Sequence, residues 1–455
     1  MTWRRHPALR GDPPTGYGYG TEQFMARPAP IPEIPLGHDR PPAPFSLPDA
    51  FQLGTATASL QIEGGDRNNS WFRWCERGRI KDGSHCLRAC DHGNRVAADI
   101  ELQKALGVTA YRMSLEWSRI EPREGTFDDE AIALYREELT ALRKAGITPM
   151  VTLHHFSNPL WLEDSGGWTA ASIVDRFGRY TARVAETLGD LVDHWITINE
   201  PNVYLAFGYL SGEWPPGKRN PAAYFTGARR VAAAHEEAYR LIHAISNARG
   251  KHPMVGVAHH LRVYDPATPE RPDKRAAARL QRLFQDIFLD RTVTFSDFIG
   301  VNYYSRDIVA RSANPFTAFT RRSVKADRPV NDLGWEIYPE GLSRVCTQIA
   351  QRYTLPLIIT ENGIADATDR LRPRYLYDHL REVADLVSAG TDIRGYFHWS
   401  LMDNFEWLEG ESARFGLYAV DYESQARTLR RSGEFYRAIC RDRGVTRKSI
   451  REYLE

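Results

Sequence analysis

The chain has 455 residues, of which 42% are hydrophobic and 26% charged, a composition typical of a globular protein. A net charge of +1 excludes a strong overall field that would recruit nucleic acid or an anionic membrane. No apolar run reaches the roughly 20 residues of a membrane-spanning helix. Neither nucleic acid nor a membrane is therefore an expected partner, and no oligomeric state follows from the sequence.

Residues 1–48 differ from the rest of the chain because they hold 11 of its 27 prolines. No apolar segment follows Arg4 and Arg5, so this region lacks the pattern of a secretory signal peptide. We expect a Pro-rich arm, poorly ordered or draped over a catalytic domain of residues 49–455.

Five cysteines are an odd number in a chain of this size, which favours a reducing compartment over a disulfide framework. We therefore expect a cytoplasmic location. Cys86 and Cys90 lie near His85 and His92 in the sequence, and these residue types can bind a metal. Because the C-x3-C spacing has no second pair, the pattern predicts incidental thiols and no metal site.

From Phe51 onward, short β-rich runs alternate with longer amphipathic stretches. The predicted strands are residues 51–59, 108–114, 148–155, 195–199, 254–261, 298–304, 357–360 and 393–400. The predicted helices are residues 96–106, 129–145, 172–188, 224–248, 276–289, 338–353, 373–389 and 432–441. Eight strands, each followed by a helix, predict a single (β/α)8 TIM barrel with long βα loops at its C-terminal face.

The main alternative is a doubly wound open sheet, whose first strand–helix turn carries the pattern G-x-G-x-x-G. The corresponding turn, Gly54 to Ser59, reads GTATAS and lacks this pattern, which favours the barrel. Five glycines lie just past predicted helices, where a left-handed residue commonly ends a helix. These are Gly107, Gly146, Gly189, Gly250 and Gly390.

Two glutamates follow apolar runs that predict buried parallel strands, Glu200 after ITIN and Glu361 after LIIT. In a TIM barrel the active site lies at the C-terminal ends of the strands. Cleavage of a glycosidic bond requires two carboxyl groups in one pocket: one protonates the leaving oxygen, and the other stabilises or attacks the anomeric carbon. The alternative to a catalytic role, for either glutamate taken alone, is a surface side chain that happens to follow a strand.

Seven stretches within residues 49–441 resemble glycoside hydrolase family 1, the β-glucosidase family. They are FQLGTATASLQIEG (51–64), YRMSLEWSRIEP (111–122), TLHHF (152–156), TINEP (197–201), GVNYY (300–304), ITENG (360–364) and HWSLMDNFEW (398–407). TINEP and ITENG occur together, in this order, with 361 − 200 = 161 residues between their glutamates. The resemblance is therefore specific.

The resemblance implies a role for each matching residue. Glu200 would be the general acid/base and Glu361 the nucleophile. Asn199 would hold the sugar 2-hydroxyl, and no metal or organic cofactor is needed for this chemistry. The other implied pocket residues are Gln61, His155, Tyr304, Trp399, Glu406 and Trp407, which contact the sugar or the nucleophile, and Arg112, Asn302 and Phe415, which support them.

The residues that the resemblance places beside Glu361 predict its charge state. The resemblance places Arg112 and Tyr304 next to it, and a guanidinium and a phenol stabilise an ionised carboxylate. We expect them to lower the pKa of Glu361, while Glu200 carries the proton that the leaving group takes.

Two positions narrow the predicted reaction. Glu406 is retained, whereas family branches that cleave 6-phosphorylated sugars usually lack it. Glu200 is not the glutamine of the myrosinase-like branch. The sequence predicts a retaining β-glycosidase, a β-glucosidase that releases terminal β-D-glucosyl, or galactosyl or fucosyl, residues from small glycosides by double displacement. A transglycosylase on the same scaffold is the alternative, and a non-catalytic glycan-binding barrel is the remote one.

Overall fold

A computed structural model describes residues 41–314, 320–324 and 328–455. Eight parallel strands form the central sheet. They are β1 (Gln52–Ala56), β2 (Ala110–Ser114), β3 (Thr148–His154), β4 (His194–Asn199), β5 (Met254–Pro266), β6 (Phe298–Arg311), β7 (Leu357–Asn362) and β8 (Ile393–Trp399). Each strand pairs with the next, and β8 pairs with β1 from Gly395–Gln52 to Trp399–Ala56, which closes the barrel. The predicted TIM barrel is confirmed.

One main helix follows each strand and packs outside the barrel. These helices are α1 (Val96–Leu106), α2 (Asp129–Lys144), α3 (Ile173–Leu188), α4 (Pro221–Asn247), α5 (Arg271–Gln281), α6 (Glu340–Arg352), α7 (Arg372–Ser388) and α8 (Arg431–Asp442). The Asp128 side chain accepts hydrogen bonds from the backbone N–H groups of Glu130 and Ala131, and so caps α2. Within the described residues no helix combines the length and apolarity needed to cross a bilayer.

Shorter elements lie mostly in the loops. The short helices are Ser59–Ile62, Ser70–Glu76, Trp117–Ile120, Leu160–Asp164, Pro201–Leu205, Ile287–Thr292 and Arg447–Tyr453. Turns of 3-10 helix are His92–Asn94, Gly167–Thr169, Val293–Phe295 and Trp407–Glu409, and π-helical turns are Ala206–Ser211 and Arg282–Asp286. The strands Tyr418–Val420 and Arg427–Leu429 form an antiparallel pair.

Four of the five glycines predicted to be left-handed have a positive φ, and Gly189 does not. Its φ is −64°, so the prediction for this residue is wrong. A Cβ atom at Gly189 would lie 2.4 Å from the carbonyl oxygen of Ala185. Glycine is therefore favoured here because a Cβ would meet a carbonyl oxygen of the last turn of α3.

Strands β5 and β6 extend beyond the barrel mouth, past the predicted ends at residues 261 and 304. Their outer parts pair in parallel from Val263–Arg306 to Pro266–Val309. The strand Thr320–Ser323 then adds to the end of β6 in antiparallel orientation. This three-stranded extension stands on one side of the mouth.

The segment before β1 contacts the last part of the chain. Phe45–Ser46 pairs with Gly444–Val445 in antiparallel orientation, and Leu47 is buried. The backbone N–H of Ala43 donates to the Tyr377 hydroxyl at 2.7 Å. Residues 1–40 of the predicted arm lie outside the described residues.

Candidate active site

Glu200 and Glu361 lie at the C-terminal ends of β4 and β7. Both are buried, with 5% and 4% of their surface exposed. Glu200 is left-handed, with φ at +40°, and Pro201 begins the helix that follows it. A side chain in this backbone region costs about 1–2 kcal/mol, so the surrounding contacts must impose it.

Two donors hold the Glu361 carboxyl group. Nη1 of Arg112 lies 2.6 Å from Oε1, and the Tyr304 hydroxyl donates to Oε2 at 2.6 Å. Arg112 is fully buried, and its Nη1 also donates to the Thr360 carbonyl oxygen at 3.0 Å. These contacts fix both oxygens of Glu361.

A chain of hydrogen bonds connects the two glutamates. Nη2 of Arg112 donates to Oδ1 of Asn199 at 2.6 Å, and Nδ2 of Asn302 reaches the same oxygen at 3.1 Å. Nδ2 of Asn302 also donates to Oε1 of Glu200 at 2.8 Å. The two carboxyl groups therefore belong to one buried polar network.

Burial and the two hydrogen-bond donors shift the pKa of Glu361 in opposite directions. Burial and the neighbouring Glu200 raise the pKa of Glu361, whereas Arg112 and Tyr304 lower it, and the result is a pKa of about 7. As expected, the contacts with Arg112 and Tyr304 each lower the pKa of Glu361. The expectation that they would bring the pKa below its ordinary value is wrong, because the loss of hydration is larger.

His155 provides a second polar side of the pocket. Nδ2 of Asn199 donates to Nε2 of His155 at 2.9 Å. Burial, with Arg112 nearby, holds the pKa of His155 well below its usual value, so the ring is neutral and Nδ1 carries the proton. This Nδ1 is buried without a protein partner, which makes it available as a donor.

Gln61, Trp399 and Glu406 form a third side. Oε2 of Glu406 accepts from Nε2 of Gln61 at 3.3 Å and from the Trp399 indole N–H at 3.4 Å. Nε2 of Gln61 is further fixed by Asn404 and by the Phe405 carbonyl, each at 2.9 Å. Burial, together with Glu361 and Glu200, raises the pKa of Glu406 to about 8.

Aromatic rings cover the rest of the pocket. The Trp407 ring stacks on His155 with centroids 5.8 Å apart and contacts Trp71 at 5.0 Å. The Phe415 ring lies 6.2 Å from Tyr304. Flat rings beside polar side chains suit a sugar, which has apolar C–H faces and hydroxyl edges.

The chain matches the model of Glycosyl hydrolase family 1 over residues 44–296 and 293–445. The chain belongs to glycosyl hydrolase family 1. It is 32% identical to Beta-glucosidase A of Thermotoga maritima over 445 residues, which cover 88% of this chain and 98% of that protein. The solved beta-glycosidase from Pyrococcus horikoshii superposes with a TM-score of 0.84 and 37% identity, covering 90% of this chain and 98% of that one. The predicted family and the glycoside hydrolase class are confirmed.

A further relative is named a transferase. The chain is 35% identical over 370 residues to the chloroplastic galactolipid galactosyltransferase of Arabidopsis thaliana. This match covers 77% of the chain and 58% of the relative.

One group at the family 1 site was missed in the sequence. Nδ1 of His260, on β5, lies 3.3 Å from Oε1 of Glu200. Nε of Arg262 donates to Nε2 of His260 at 2.9 Å, so Nδ1 carries the hydrogen and donates to Glu200. Arg262 is itself paired with Asp307 at 2.9 Å. The pair His259-His260 at the end of a strand, like His154-His155, was the available signal.

Several other polar residues near strand ends serve as supports. Glu63 pairs with Arg119 at 2.8 Å, and Glu116 accepts from Ser118 at 2.7 Å. Asp403 is held by Arg430 at 2.8 Å. Position at a strand end therefore does not by itself place a carboxyl group in the pocket.

Proposed function

We propose that this family 1 enzyme cleaves a terminal β-D-glucosyl group from a small glycoside by double displacement. Glu361 forms a bond to the anomeric carbon while the bond from that carbon to the leaving oxygen breaks, and Glu200 gives its proton to that oxygen. Water then attacks the anomeric carbon while the bond from that carbon to Glu361 breaks, Glu200 takes the proton from the water, and the sugar leaves with retained configuration.

One observation carries this proposal: Glu361 is held at both oxygens and is linked to Glu200 through Arg112, Asn199 and Asn302. A nucleophile must be oriented at one face of the sugar, and the donors to its two oxygens supply that orientation. Glu200 approaches from a different strand, so it can serve the leaving oxygen.

The remaining polar groups support an unphosphorylated sugar. Oε1 of Gln61 and Nδ1 of His155 are a buried acceptor and a buried donor without protein partners. Glu406 adds a buried carboxyl group, held by Gln61 and Trp399, that can hydrogen-bond to a sugar hydroxyl. Asn199 would then hold the 2-hydroxyl, and Trp399 and Trp407 would cover the ring.

The decisive experiment removes the nucleophile. We expect Glu361→Ala to lower kcat for an aryl β-glucoside by more than about 1000-fold, because the covalent step is lost. Added azide should restore product formation, and the glycosyl azide should have inverted configuration. NMR of the first-formed sugar from the unaltered enzyme should show retention.

A matched control is available in Glu116→Gln. Glu116 is also a buried glutamate whose pKa burial raises to about 7, but it bonds to serines outside the pocket. This variant should remain active. Full activity in Glu361→Ala, or an inverted first product from the unaltered enzyme, would refute the proposed mechanism.

A transglycosylase is the second candidate, because one relative is named a galactosyltransferase. The glycosyl-enzyme would then pass its sugar to an alcohol in place of water. The ratio of transfer product to free sugar, measured with aryl β-glucoside and β-galactoside donors over increasing acceptor concentration, distinguishes the two. A ratio that stays near zero supports hydrolysis.

We also propose a cytoplasmic location. The five cysteines are all free, and Cys75 and Cys86 lie close together without a bond between them. Free thiols at such a short separation favour a reducing environment. The test is to count reactive thiols in freshly isolated, denatured enzyme. Five thiols would support this location, and three, which would mean one disulfide, would argue against it.

A further inference from the structure

Two thiols and an imidazole meet beside the first βα loop. Cys75 belongs to the helix Ser70–Glu76, and His85 and Cys86 lie in the loop after it. Their ligand atoms, Sγ of each cysteine and a ring nitrogen of His85, all lie within 4.8 Å of one another. Both cysteines are buried, while the His85 side chain is 31% exposed. The imidazole is therefore the most solvent-exposed of the three groups.

We propose that Cys75, His85 and Cys86 form a binding site for a divalent cation of the zinc class. Two thiolates and an imidazole are the ligands that zinc prefers over oxygen-seeking ions such as Mg²⁺ and Ca²⁺. Tetrahedral zinc holds its sulfur and nitrogen ligands about 3.5–4 Å apart. A movement of about 1 Å or less would bring the three atoms to that spacing.

The surroundings of His85 suit a metal ligand. Nε2 lies 3.1 Å from Oε1 of Glu76, a carboxylate contact that fixes the tautomer and orientation of a histidine ligand. The lone pair then lies on Nδ1, which accepts the backbone N–H of Leu87 at 3.1 Å. Binding of a cation would exchange this single hydrogen bond for a coordinate bond.

The ligand set differs from the sequence pattern that first suggested a metal. Cys90 donates its thiol hydrogen to the Asp403 carbonyl at 3.0 Å. His92 lies between Asp99 and Glu138, at 2.8 and 3.1 Å. Neither Cys90 nor His92 joins the cluster. The second thiol is instead that of Cys75, eleven residues before Cys86. The C-x3-C spacing alone predicts no metal site, and the proposed site depends on Cys75, which lies outside that spacing.

The proposed site is mechanically connected to the sugar pocket. The helix that carries Cys75 also carries Trp71, whose ring contacts Trp407 at 5.0 Å. In the loop, the backbone N–H of Lys81 donates to the Leu408 carbonyl at 2.9 Å, and Asp82 accepts from the Glu411 N–H at 2.7 Å. A cation joining helix and loop would fasten both against the segment that contains Glu406 and Trp407.

The test is a titration of the full-length enzyme, reduced, treated with a chelator and then desalted. Cd²⁺ serves as the probe because thiolate-to-cadmium charge transfer absorbs in the ultraviolet, and Zn²⁺ is added as a competitor. We expect one equivalent of Cd²⁺ to bind with this absorption and one equivalent of Zn²⁺ to displace it. Cys86→Ser should abolish the absorption at one equivalent. His85→Ala should raise the Kd for Cd²⁺ by more than about tenfold.

Two further variants serve as matched controls. Cys346→Ala and Cys440→Ala each remove a buried thiol that is not part of the cluster, and both should bind as the unaltered enzyme does. If Cys86→Ser fails to fold, the partly exposed His85 still decides the outcome. Absence of stoichiometric binding, or a Kd unchanged in His85→Ala, overturns the proposal.

Discussion

The Glu361 carboxyl group is under two opposed influences. Burial raises its pKa to about 7, although Arg112 and Tyr304 both stabilise its charge. A raised pKa means that the group is protonated over a wider pH range, and a protonated Glu361 cannot attack. We therefore expect kcat/KM, which reports the free enzyme, to fall as the pH drops below about 7.

Removal of one hydrogen-bond donor to Glu361 should move the acidic limb of the pH profile, the range in which kcat/KM falls with decreasing pH. Tyr304→Phe deletes a hydrogen bond that lowers the pKa of Glu361, so the limb should shift to higher pH by up to about one unit. Tyr303→Phe is the matched control, because the hydroxyl of Tyr303 donates to the Tyr338 carbonyl at 2.6 Å, outside the pocket. A limb that stays in place, or moves to lower pH, in Tyr304→Phe would contradict this explanation.

His260 orients the Glu200 carboxyl group, and its loss should depend on the leaving group. A poor leaving group needs a proton from Glu200, whereas a dinitrophenolate leaves without one. We expect His260→Ala to lower kcat/KM for an alkyl β-glucoside about 10- to 100-fold more than for a dinitrophenyl β-glucoside.

Two glutamine variants separate orientation from simple loss of packing. His260→Gln keeps an N–H donor and should retain most of the activity on the alkyl glucoside. His259→Gln, one residue earlier, alters a contact to Thr292 at 3.2 Å and should affect both substrates equally. Equal losses on both substrates in His260→Ala would show that this residue does not act through Glu200.

Residue type and position predicted most members of the site but not their net electrostatics. Arg112, Asn199 and Tyr304 were identifiable because they lie on barrel strands within family motifs, and they meet as expected. His260 belongs to none of those motifs. The pKa of Glu361 depends on the extent of burial, which no local pattern contains.

Arg306, on the outer part of β6, pairs with Asp265 on β5 at 3.0 Å and with Glu336 in the loop before α6. Nη2 of Arg306 lies 2.8 Å from Oε1 of Glu336, and the two side chains are 9% and 0% exposed. Removing Glu336 would leave the buried Arg306 guanidinium with only the partly exposed Asp265 as an acidic partner. We expect Glu336→Ala to lower the free energy of unfolding by about 3 kcal/mol, as measured by chemical denaturation.

The double variant Arg306→Met, Glu336→Leu provides the control. It removes both charges and fills their space with apolar groups, so its loss should be smaller than that of Glu336→Ala. If Glu336→Ala and the double variant lost the same stability, the charge pair would not be the cause.

The ends of these strands were not predictable from periodicity. Residues 262–266 and 305–311 contain arginines and aspartates in place of the apolar runs that mark barrel strands. These two segments pair with each other as strands, and ion pairs between them add to this pairing. Both kinds of contact join parts of the chain that are distant in sequence. At Gly189 the cause is local: the carbonyl of Ala185, four residues earlier, favours glycine, and a left-handed backbone does not.

At the scale of the whole molecule, the count and order of strands were predictable because each barrel strand has its own apolar run. The attachment of residues 43–47 was not, since Phe45–Ser46 pairs with Gly444–Val445 at the opposite end of the sequence. A strand of two residues gives no periodic signal. It depends entirely on the completed barrel.

This attachment should be measurable by truncation. A variant lacking residues 1–47 loses the strand pair and the buried Leu47, while one lacking residues 1–40 keeps both. We expect the longer truncation to be less stable than the shorter by about 2 kcal/mol, from denaturant unfolding of both. Equal stability of the two would mean that the segment contributes nothing.

The pairing of β8 with β1 also sets a condition on synthesis. As the nascent chain leaves the ribosome, β1 emerges early, yet its second neighbour, Ile393–Trp399, is made only near the end of translation. During that interval one edge of the growing sheet presents unpaired backbone groups, which favour association with other chains. Premature termination after β7 should therefore yield aggregates in the cell, and a chaperone that shields β1 should raise the yield of complete enzyme.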